Sequence, residues 1–465
     1  MKGARAGALF LSTGRGGSHV VSFRGMWLLP LFPRVAEFAT RTFYRTTVSG
    51  GGIPRDGPVL LVGNHPNALL DPLFLAAVAR RPVRFLAKAP LFSSLRTSWA
   101  VKAVGAIPVY RPSDNPALVR RNASMFRAAH EALLAGAAIG VFPEGMSHDA
   151  PSLGPLRTGA ARIALGARSQ LGHPLPIIPI GLVLLNKEEF RSEAHVLIGD
   201  PVPWEGLDGS EESAGDVKEL TARIDQALRG VTLNLDAWED AALIQIAEEI
   251  FDAERGARPE EGGRADRWRE SVRIVSAARR TGDEGAIKLA REIRRHAHAL
   301  DLFRLRPQEL HARTNLQIAA QWSARKVALL APLGLLVAAI GAALFWLPYR
   351  LTAVIVERSR TDENNRATVK LVAGAALFVA WIALLGAAAW IFAGWRAGIP
   401  ALVALPVLAM FTLVLLEKSS EAWRDTRRFF LLRSRVKSLD DMRLRQLDIA
   451  LRLQALRDRT AGARG

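Results

Sequence analysis

The chain has 465 residues, a formal net charge of +18 at pH 7, a sequence pI near 11.0 and no cysteine. This length is too great for one ordinary hydrophobic core, and the missing cysteines exclude disulfides and thiolate metal sites. The charge requires a polyanionic partner, either nucleic acid or anionic lipid. Nucleic acid ranks last because no basic motif is interleaved with aromatic residues, whereas long uncharged apolar stretches near the C-terminus favour lipid.

The N-terminal segment divides at Met26. Residues 1–25 are rich in Gly, Ser and Arg, so we expect them to be disordered, and Met26 offers an alternative start that would leave them untranslated. Residues 26–57 contain an amphipathic segment in which Trp27, Leu31 and Phe38 stand beside Arg34 and Arg41. Two interpretations remain open for this segment, a helix that anchors the chain on a membrane surface and a helix that packs on the core.

Residues 58–205 predict an α/β domain. Apolar strands are expected at 58–62, 83–88, 105–111, 139–142 and 176–183, and helices between them at 73–78, 116–134 and 158–169. Several of these strands are followed directly by polar or charged residues. Strands that alternate with helices form a sheet with its site along the edge where the parallel strands end.

The loop after the first of these strands carries His65 and Asp71, and each of them precedes a proline. Asp71 is expected to cap an apolar helix whose first residue is Pro72. With a loop between the two residues, the chain can fold back so that the carboxylate holds one imidazole nitrogen and leaves the other free to accept a proton. The competing interpretation is that Asp71 only caps its helix and His65 is an ordinary loop residue.

Four sequence blocks follow in order along this domain. They are Asn64-His65 with Asp71, the strand ending at Arg111, Phe142-Pro143-Glu144-Gly145, and the Pro-Ile-Ile-Pro strand at 176–179. In order and rough spacing they resemble the blocks of the phospholipid/glycerol acyltransferase family. One more residue separates His65 from Asp71 than in the commonest family pattern, and Met146-Ser147-His148-Asp149 replaces the usual continuation. Both departures resemble the fungal type of glycerol-3-phosphate/dihydroxyacetone-phosphate acyltransferase.

The resemblance implies a role for each matching residue. His65 would be the general base and Asp71 its orienting acid, while Arg111, Glu144 and Gly145 match the acceptor site. Lys88, Ser147 and Arg157 are further candidates for binding the acceptor phosphate, with Arg157 replacing the arginine that usually follows the Glu-Gly pair. His148 and Asp149 are a rival catalytic pair ranked second, because adjacent side chains in a turn diverge. Glu144 could instead pair with a cation at the strand end.

The resemblance also implies a membrane-bound O-acyltransferase that moves a fatty acyl group from acyl-CoA or acyl carrier protein to glycerol-3-phosphate or dihydroxyacetone phosphate. The acyl thioester is a co-substrate, and no metal or other cofactor is expected. Acylation of lysophosphatidate or another lysophospholipid is the close alternative. An inactive lipid-binding membrane scaffold is the alternative of a different class.

Residues 206–325 predict an appended helical region without a catalytic signature, interrupted by a Gly- and Glu-rich break at 260–263. Residues 326–418 predict a membrane region with uncharged stretches at 327–347, 371–394 and 399–416. Because the loop at 349–370 and the tail at 419–465 are basic, the tendency of basic loops to stay in the cytoplasm favours two spans, 371–394 and 399–416. The stretch 327–347 would then be a re-entrant or interfacial hairpin broken near Pro332, Gly334 and Gly341. The catalytic domain and tail would lie in the cytoplasm, on the inner membrane if the source is bacterial, facing anionic lipids; three spans are the alternative.

Overall fold

The computed structural model describes residues 26–462 except 96, 112, 115, 185, 256–263, 304, 312–315, 360–362 and 435. The segment expected to be disordered, 1–25, and the Gly- and Glu-rich break at 260–263 lie outside the described residues.

A seven-stranded mixed sheet organises the N-terminal half of the chain. Its strands are β1 (Arg45–Gly50), β2 (Val59–Gly63), β3 (Val83–Lys88), β4 (Ile107–Val109), β5 (Ala138–Val141), β6 (Ile177–Leu184) and β7 (Glu193–Ile198). The strand order is β1-β7-β6-β2-β5-β3-β4. All neighbours are parallel except β6 and β7, so β1 and β7 run opposite to the rest.

Helices cover both faces of this sheet. They are α1 (Phe32–Phe43), α2 (Leu70–Ala79), α3 (Pro90–Ser93), α4 (Ser98–Ala103), α5 (Asn122–Leu134), α6 (Gly159–Leu171) and α7 (Ala214–Val231). Leu60 and Val62 of β2 pack in the core shared with α5, α6 and α7, whereas Val59 and Leu61 pack in the core shared with α1 and α2. A strand buried on both faces is apolar at every position, which is why β2 reads as one continuous apolar run.

The predicted α/β fold is confirmed, with two strands added. β1 and β7 were not predicted, because β1 is an edge strand with mostly exposed side chains and β7 has no long apolar run. The sheet therefore begins at Arg45, before the expected boundary at residue 58. The predicted helix at 116–134 is divided into a 3₁₀ helix, Pro116–Arg121, followed by α5.

Helix α1 has two apolar faces, so the interpretation that it packs on the core is confirmed, and membrane anchoring stays a prediction. Ala36 and Phe43 are buried against the core. Trp27, just before the helix, and Phe38 within it are 68% and 62% exposed, and Val35 is also exposed. One face therefore packs on the α/β domain while the other presents apolar side chains outward.

The helical region contains α8 (Trp238–Arg255), α9 (Arg264–Thr281), α10 (Glu284–Phe303) and a 3₁₀ helix, Pro307–His311. Helix α7 was assigned to this region from the sequence. In the structure its apolar face, including Val217, Leu220 and Ile224, belongs to the core of the sheet. The region that stands apart from the sheet therefore begins after α7.

The C-terminal part consists of α11 (Leu316–Arg358), α12 (Glu363–Ala393), α13 (Trp395–Ser434) and α14 (Val436–Gly462). Within the described part of the chain, three segments are long and apolar enough to cross a membrane, namely Leu336–Arg358, Arg366–Ala393 and Trp395–Leu415. The break expected within 327–347 is wrong, because α11 continues through Pro332, Gly334 and Gly341. An unbroken helix satisfies its own backbone hydrogen bonds, which apolar surroundings demand.

Candidate active site

His65 and Asp71 meet at the carboxyl end of β2. The distance from His65 Nδ1 to Asp71 Oδ2 is 2.6 Å, and the same carboxylate oxygen accepts the backbone N–H of Asn67 at 2.7 Å. A carboxylate oxygen that accepts two hydrogen bonds fixes the imidazole proton on Nδ1. No described residue bonds the other ring nitrogen, Nε2, and the His65 side chain is 19% exposed. The pair therefore has the geometry of an oriented general base.

Asp71 does not cap its helix. Leu69 occupies the N-cap position of α2 without a side-chain hydrogen bond, and Asp71 lies in the first turn. Its carboxylate reaches back to Asn67 and His65 instead of to the N–H groups of α2. The prediction of a cap is therefore wrong, because the Asp71 carboxylate makes its hydrogen bonds to the preceding loop and not to the first N–H groups of α2.

The Asp71 carboxyl is completely buried. Burial raises its pKa above the ordinary value, against the opposing effects of the hydrogen bond from His65 and the positive charge of Lys187. Oδ1 has no hydrogen-bond partner among the described residues. Burial thus disfavours the charged form of Asp71. Such an unfavourable desolvation free energy is typical of a functional group, and here the carboxylate orients His65.

An aromatic stack fixes the plane of the imidazole. The rings of His65 and Phe142 are parallel within 12°, with centroids 4.3 Å apart, and Phe142 stacks in turn on Phe85. Gly140 makes room for Phe85, since a Cβ at that position would lie 2.3 Å from the ring. The block Phe142-Pro143-Glu144-Gly145 therefore contributes a supporting ring, a role not predicted for Phe142.

Glu144 braces the same loop from the other side. It is buried, and its Oε1 accepts the backbone N–H of His65 at 2.8 Å. Its Oε2 accepts the N–H of Gly154 at 2.8 Å and pairs with Nε2 of His148. Both carboxylate oxygens are therefore occupied by the chain itself, and the role of Glu144 toward the acceptor stays a prediction.

The rival pair, His148 and Asp149, diverges. His148 turns toward Glu144, whereas Asp149 Oδ1 accepts from Lys187 Nζ at 2.6 Å. Lys187 also donates to the carbonyl oxygen of Pro66 at 3.3 Å, so it connects the His65 loop with the loop after Glu144. Sequence reasoning missed Lys187, which lies three residues past β6 and has no motif around it.

Two more polar side chains fasten the His65 loop. Asn64 exchanges two hydrogen bonds with the backbone of Leu182 in β6, at 3.0 and 2.7 Å. Ser147 Oγ accepts the N–H of Ala68, which has a φ of 37°, at 3.0 Å. Ser147, predicted as a candidate for phosphate binding, is therefore used here as a support.

The remaining candidates form a cationic side of the site around Gly145. Arg111 Nη1 donates to the Gly145 carbonyl at 3.2 Å, and the exposed side chain of Arg157 packs against Gly145, whose added Cβ would lie 3.3 Å from Arg157 Cγ. Arg111 also binds Asp114 through Nε at 2.8 Å and Nη2 at 2.7 Å. This hydrogen bond lowers the pKa of Asp114, with a smaller contribution from the charge of Lys88. The structure thus brings Lys88, Arg111 and Arg157 to one side of the site.

A small cavity of about 40 Å³ is lined by His65 together with residues of β6 and the start of α8. Ligand sites usually enclose about 300–1,000 Å³, so we do not assign a substrate to it.

Comparisons with known proteins agree with the sequence blocks. The sequence model of the family described as Acyltransferase matches residues 45–183. Glycerol-3-phosphate O-acyltransferase 2 of Saccharomyces cerevisiae is 31% identical over 134 residues, covering 28% of this chain and 18% of the yeast protein. Glycerol-3-phosphate O-acyltransferase 1 of the same yeast is 36% identical over 121 residues, covering 24% and 16%. The matched segment therefore spans less than a fifth of either yeast relative.

A plant relative and a solved structure extend the comparison. The chloroplastic 1-acyl-sn-glycerol-3-phosphate acyltransferase BAT2 of Brassica napus is 28% identical over 150 residues, covering 32% of this chain and 40% of the plant protein. The crystal structure of the 1-acyl-sn-glycerophosphate acyltransferase from Thermotoga maritima aligns with a TM-score of 0.32 and 20% identity, covering 43% of this chain and 80% of that one.

The matched region, 45–183, contains His65, Asp71, Arg111 and Glu144 and begins at the first residue of β1. The resemblance inferred from the four blocks is confirmed. Residues 45–183 of this chain are a domain of the acyltransferase family.

Proposed function

We propose that this chain is a membrane-bound glycerolipid O-acyltransferase that uses His65 as its general base. The contact between His65 Nδ1 and the buried Asp71 carboxylate, beside three cationic side chains, is the observation that carries the proposal. The acyltransferase-family match and the names of the yeast and plant relatives support it.

The reaction follows from this geometry. His65 Nε2 takes the proton from a hydroxyl of the acceptor as the hydroxyl oxygen attacks the carbonyl carbon of an acyl thioester. The C–S bond then breaks, and the proton on His65 passes to the departing thiolate. Asp71 stabilises the imidazolium between these two steps.

The acceptor carries a phosphate group. Lys88, Arg111 and Arg157 provide positive charge near Gly145, and a guanidinium binds phosphate oxygens in a planar, two-pronged geometry. Two of the relatives are named for glycerol-3-phosphate, which favours glycerol-3-phosphate or dihydroxyacetone phosphate as the acceptor. The plant relative is named for 1-acyl-sn-glycerol-3-phosphate, so lysophosphatidate is the second candidate.

The domain works at a membrane surface. Three apolar helices fit residence in a bilayer, and the exposed apolar face of α1, with Trp27 and Phe38, gives the α/β domain a second contact with lipid. Arg350, Arg358 and Lys370 lie near the ends of α11 and α12. Basic flanking residues favour the cytoplasmic side, so the catalytic domain faces the cytoplasm and the anionic lipids of that leaflet.

The test is an acyl-transfer assay with the purified full chain in lipid vesicles. Labelled acyl-CoA and acyl carrier protein thioester are each combined with glycerol-3-phosphate, dihydroxyacetone phosphate and lysophosphatidate, and the lipid products are separated. We expect a labelled product with a glycerol phosphate, and loss of that product in His65→Ala.

A matched control is His173→Ala, since His173 is an exposed histidine whose ring contacts the backbone of the adjacent Pro174. The control should keep wild-type activity. Lipid product formed equally by His65→Ala and wild type would overturn the proposed base, and a folded wild type without any acyl transfer would favour a lipid-binding scaffold.

A further inference from the structure

Helix α14, which follows the membrane helices, shares an apolar core with α8 and α10, which precede them. Ile449 and Ala450 of α14 are buried in one apolar cluster with Leu243, Ile250 and Ile293 of α8 and α10. A second cluster joins Leu439 and Met442 of α14 to Leu300, Leu305 and Leu310. A bilayer cannot pass between residues that share a core.

Polar contacts fix the same arrangement. The completely buried Gln446 accepts a hydrogen bond from His296 Nε2 through its Oε1 at 3.2 Å and donates one to Glu254 through its Nε2 at 2.7 Å. Arg452 pairs with Glu292, and Arg443 Nε donates to the carbonyl of Leu310 at 2.7 Å. Residues 439–457 therefore lie on the same side of the membrane as residues 243–310.

The group formed by α8, α10 and α14 contacts the α/β domain. Trp238 Nε1 donates to the carbonyl of Asp149 at 2.8 Å, and the N–H of Leu235 donates to the carbonyl of Pro151 at 3.1 Å. The catalytic domain, the helical region and the tail consequently share one face of the membrane.

The start of α12 is also fixed to that face. Ala367 is fully buried in the apolar core of the sheet with Tyr44 and Phe74. Lys370 Nζ donates to the carbonyl of Glu188 at 2.7 Å. Hence α11, which lies between His311 and Ala367, begins and ends on the catalytic face.

We infer that only α12 and α13 cross the bilayer, and that α11 makes no net crossing. Helix α11 joins two points on one face, whereas the chain from Lys370 to Leu439 leaves that face and returns through two apolar helices. By length and composition, all three helices could span the bilayer. The contacts at their ends determine which ones do.

Helix α11 also packs on α12. Its Phe345 stacks on Phe378 of α12, with centroids 5.8 Å apart, and Trp381 of α12 donates to the carbonyl of Leu344 at 2.9 Å. These contacts hold the C-terminal half of α11 against a helix that crosses the bilayer.

Of the residues that the structure describes, those of the turn between α12 and α13 lie at the opposite face. Gly394 makes this turn with a φ of 76°. Exposed Trp390, Phe392 and Trp395 surround it, as aromatic side chains do at a membrane interface. Arg396 is the basic residue of the turn.

The chain contains no cysteine, so single-cysteine variants report topology without a background. We choose exposed positions outside the candidate active site: Val48→Cys in β1, Arg358→Cys at the end of α11, Arg396→Cys at the turn and Leu451→Cys in α14. Each full-length variant is expressed in membranes, and a membrane-impermeant maleimide is applied to sealed vesicles of both orientations. All four should react after detergent is added, and the cysteine-free wild type should not.

We expect positions 48, 358 and 451 to react from one face and position 396 from the other. Three crossings would instead place 358 and 451 opposite 48, with 396 on the face of 48. Reaction of all four from one face would mean that no helix crosses. Either of these results overturns the inference, and neither depends on acyl transfer, so the topology and the proposed activity are tested separately.

Discussion

The two sides of the candidate site differ in how their residues are held. On one side, His65, Asp71 and Glu144 form a buried or half-buried set in which His65 Nδ1, Asp71 Oδ2 and both Glu144 oxygens bond other parts of the chain. On the other side, Arg111 and Arg157 are more open to solvent, and Arg111 is bound by an exposed carboxylate, Asp114.

This difference separates two kinds of function. A buried, fully bonded group can keep one geometry through a reaction, which is what a general base requires. An exposed cation with a displaceable partner can exchange that partner for an incoming phosphate. Changes on the first side should therefore lower kcat, and changes on the second should alter the KM for the acceptor.

The largest effect is expected for Asp71→Asn. An amide can donate to Nδ1 of His65, which moves the ring proton to Nε2 and removes the base. We expect kcat to fall about 10³- to 10⁴-fold while the KM for the acceptor changes little. Asp236→Asn, at an exposed position, is the matched control. Equal kcat in both variants would show that Asp71 does not orient His65.

The same variant should change how stability depends on pH. Because burial raises the pKa of Asp71 above its ordinary 3.8, the folded chain binds this proton more tightly than the unfolded chain does. The contribution of Asp71 to the free energy of unfolding is therefore greatest at low pH and falls as the pH rises through the raised pKa. Asp71→Asn removes this titration, so its Tm relative to wild type should rise as the pH increases above 3.8. A Tm difference that does not change with pH would contradict the raised pKa.

Lys187→Met should have the next largest effect. The substitution keeps the length of the side chain but removes the donor that joins Pro66 to Asp149, so His65 loses a support without losing its partner. We expect kcat to fall about 10- to 100-fold, as misplacement of a catalytic group by about 1 Å does. Lys218→Met, in an exposed position of α7, serves as the control.

A double-mutant cycle with Asp149→Asn distinguishes this support from a general loss of stability. The coupling between Lys187 and Asp149 should be roughly 1–2 kcal/mol, between the values for exposed and buried ion pairs. A coupling near zero, with kcat lowered by Lys187→Met alone, would mean that Lys187 acts through another contact.

The sequence predicted one side of the site better than the other. The pairing of His65 with Asp71 was predicted because the loop between them lets the chain fold back and because the four sequence blocks resemble a family in which these positions are the catalytic pair. The supporting contacts of Lys187, Asn64 and Phe142 join strands or loops that only the folded sheet brings close, so local patterns carried no signal for these roles. Strand β1 was missed for a similar reason, since it is stabilised by pairing with β7, almost 150 residues later in the chain.

Arg111→Ala tests the exposed side. Removing the guanidinium should raise the KM for the acceptor about tenfold, the effect of losing one charge-assisted hydrogen bond of about 1.4 kcal/mol, with kcat largely retained. Arg120→Ala, an exposed arginine of the 3₁₀ helix Pro116–Arg121, is the control. A fall in kcat with unchanged KM would place Arg111 among the supports of His65 instead.

Asp114→Asn should have the smallest effect and the opposite sign. Asp114 holds Nε and Nη2 of Arg111, the pair of donors that a phosphate would use, so an acceptor must displace this carboxylate to bind. A neutral amide competes less well for the guanidinium, and we expect the KM for the acceptor to fall about two- to threefold, within the 0.2–1 kcal/mol of an exposed ion pair. Both effects act through Arg111, so Asp114→Asn should leave the KM unchanged in the Arg111→Ala background. A lower KM in that background would mean that Asp114 repels the phosphate directly, whereas a higher KM in the wild-type background would mean that Asp114 positions Arg111 for binding.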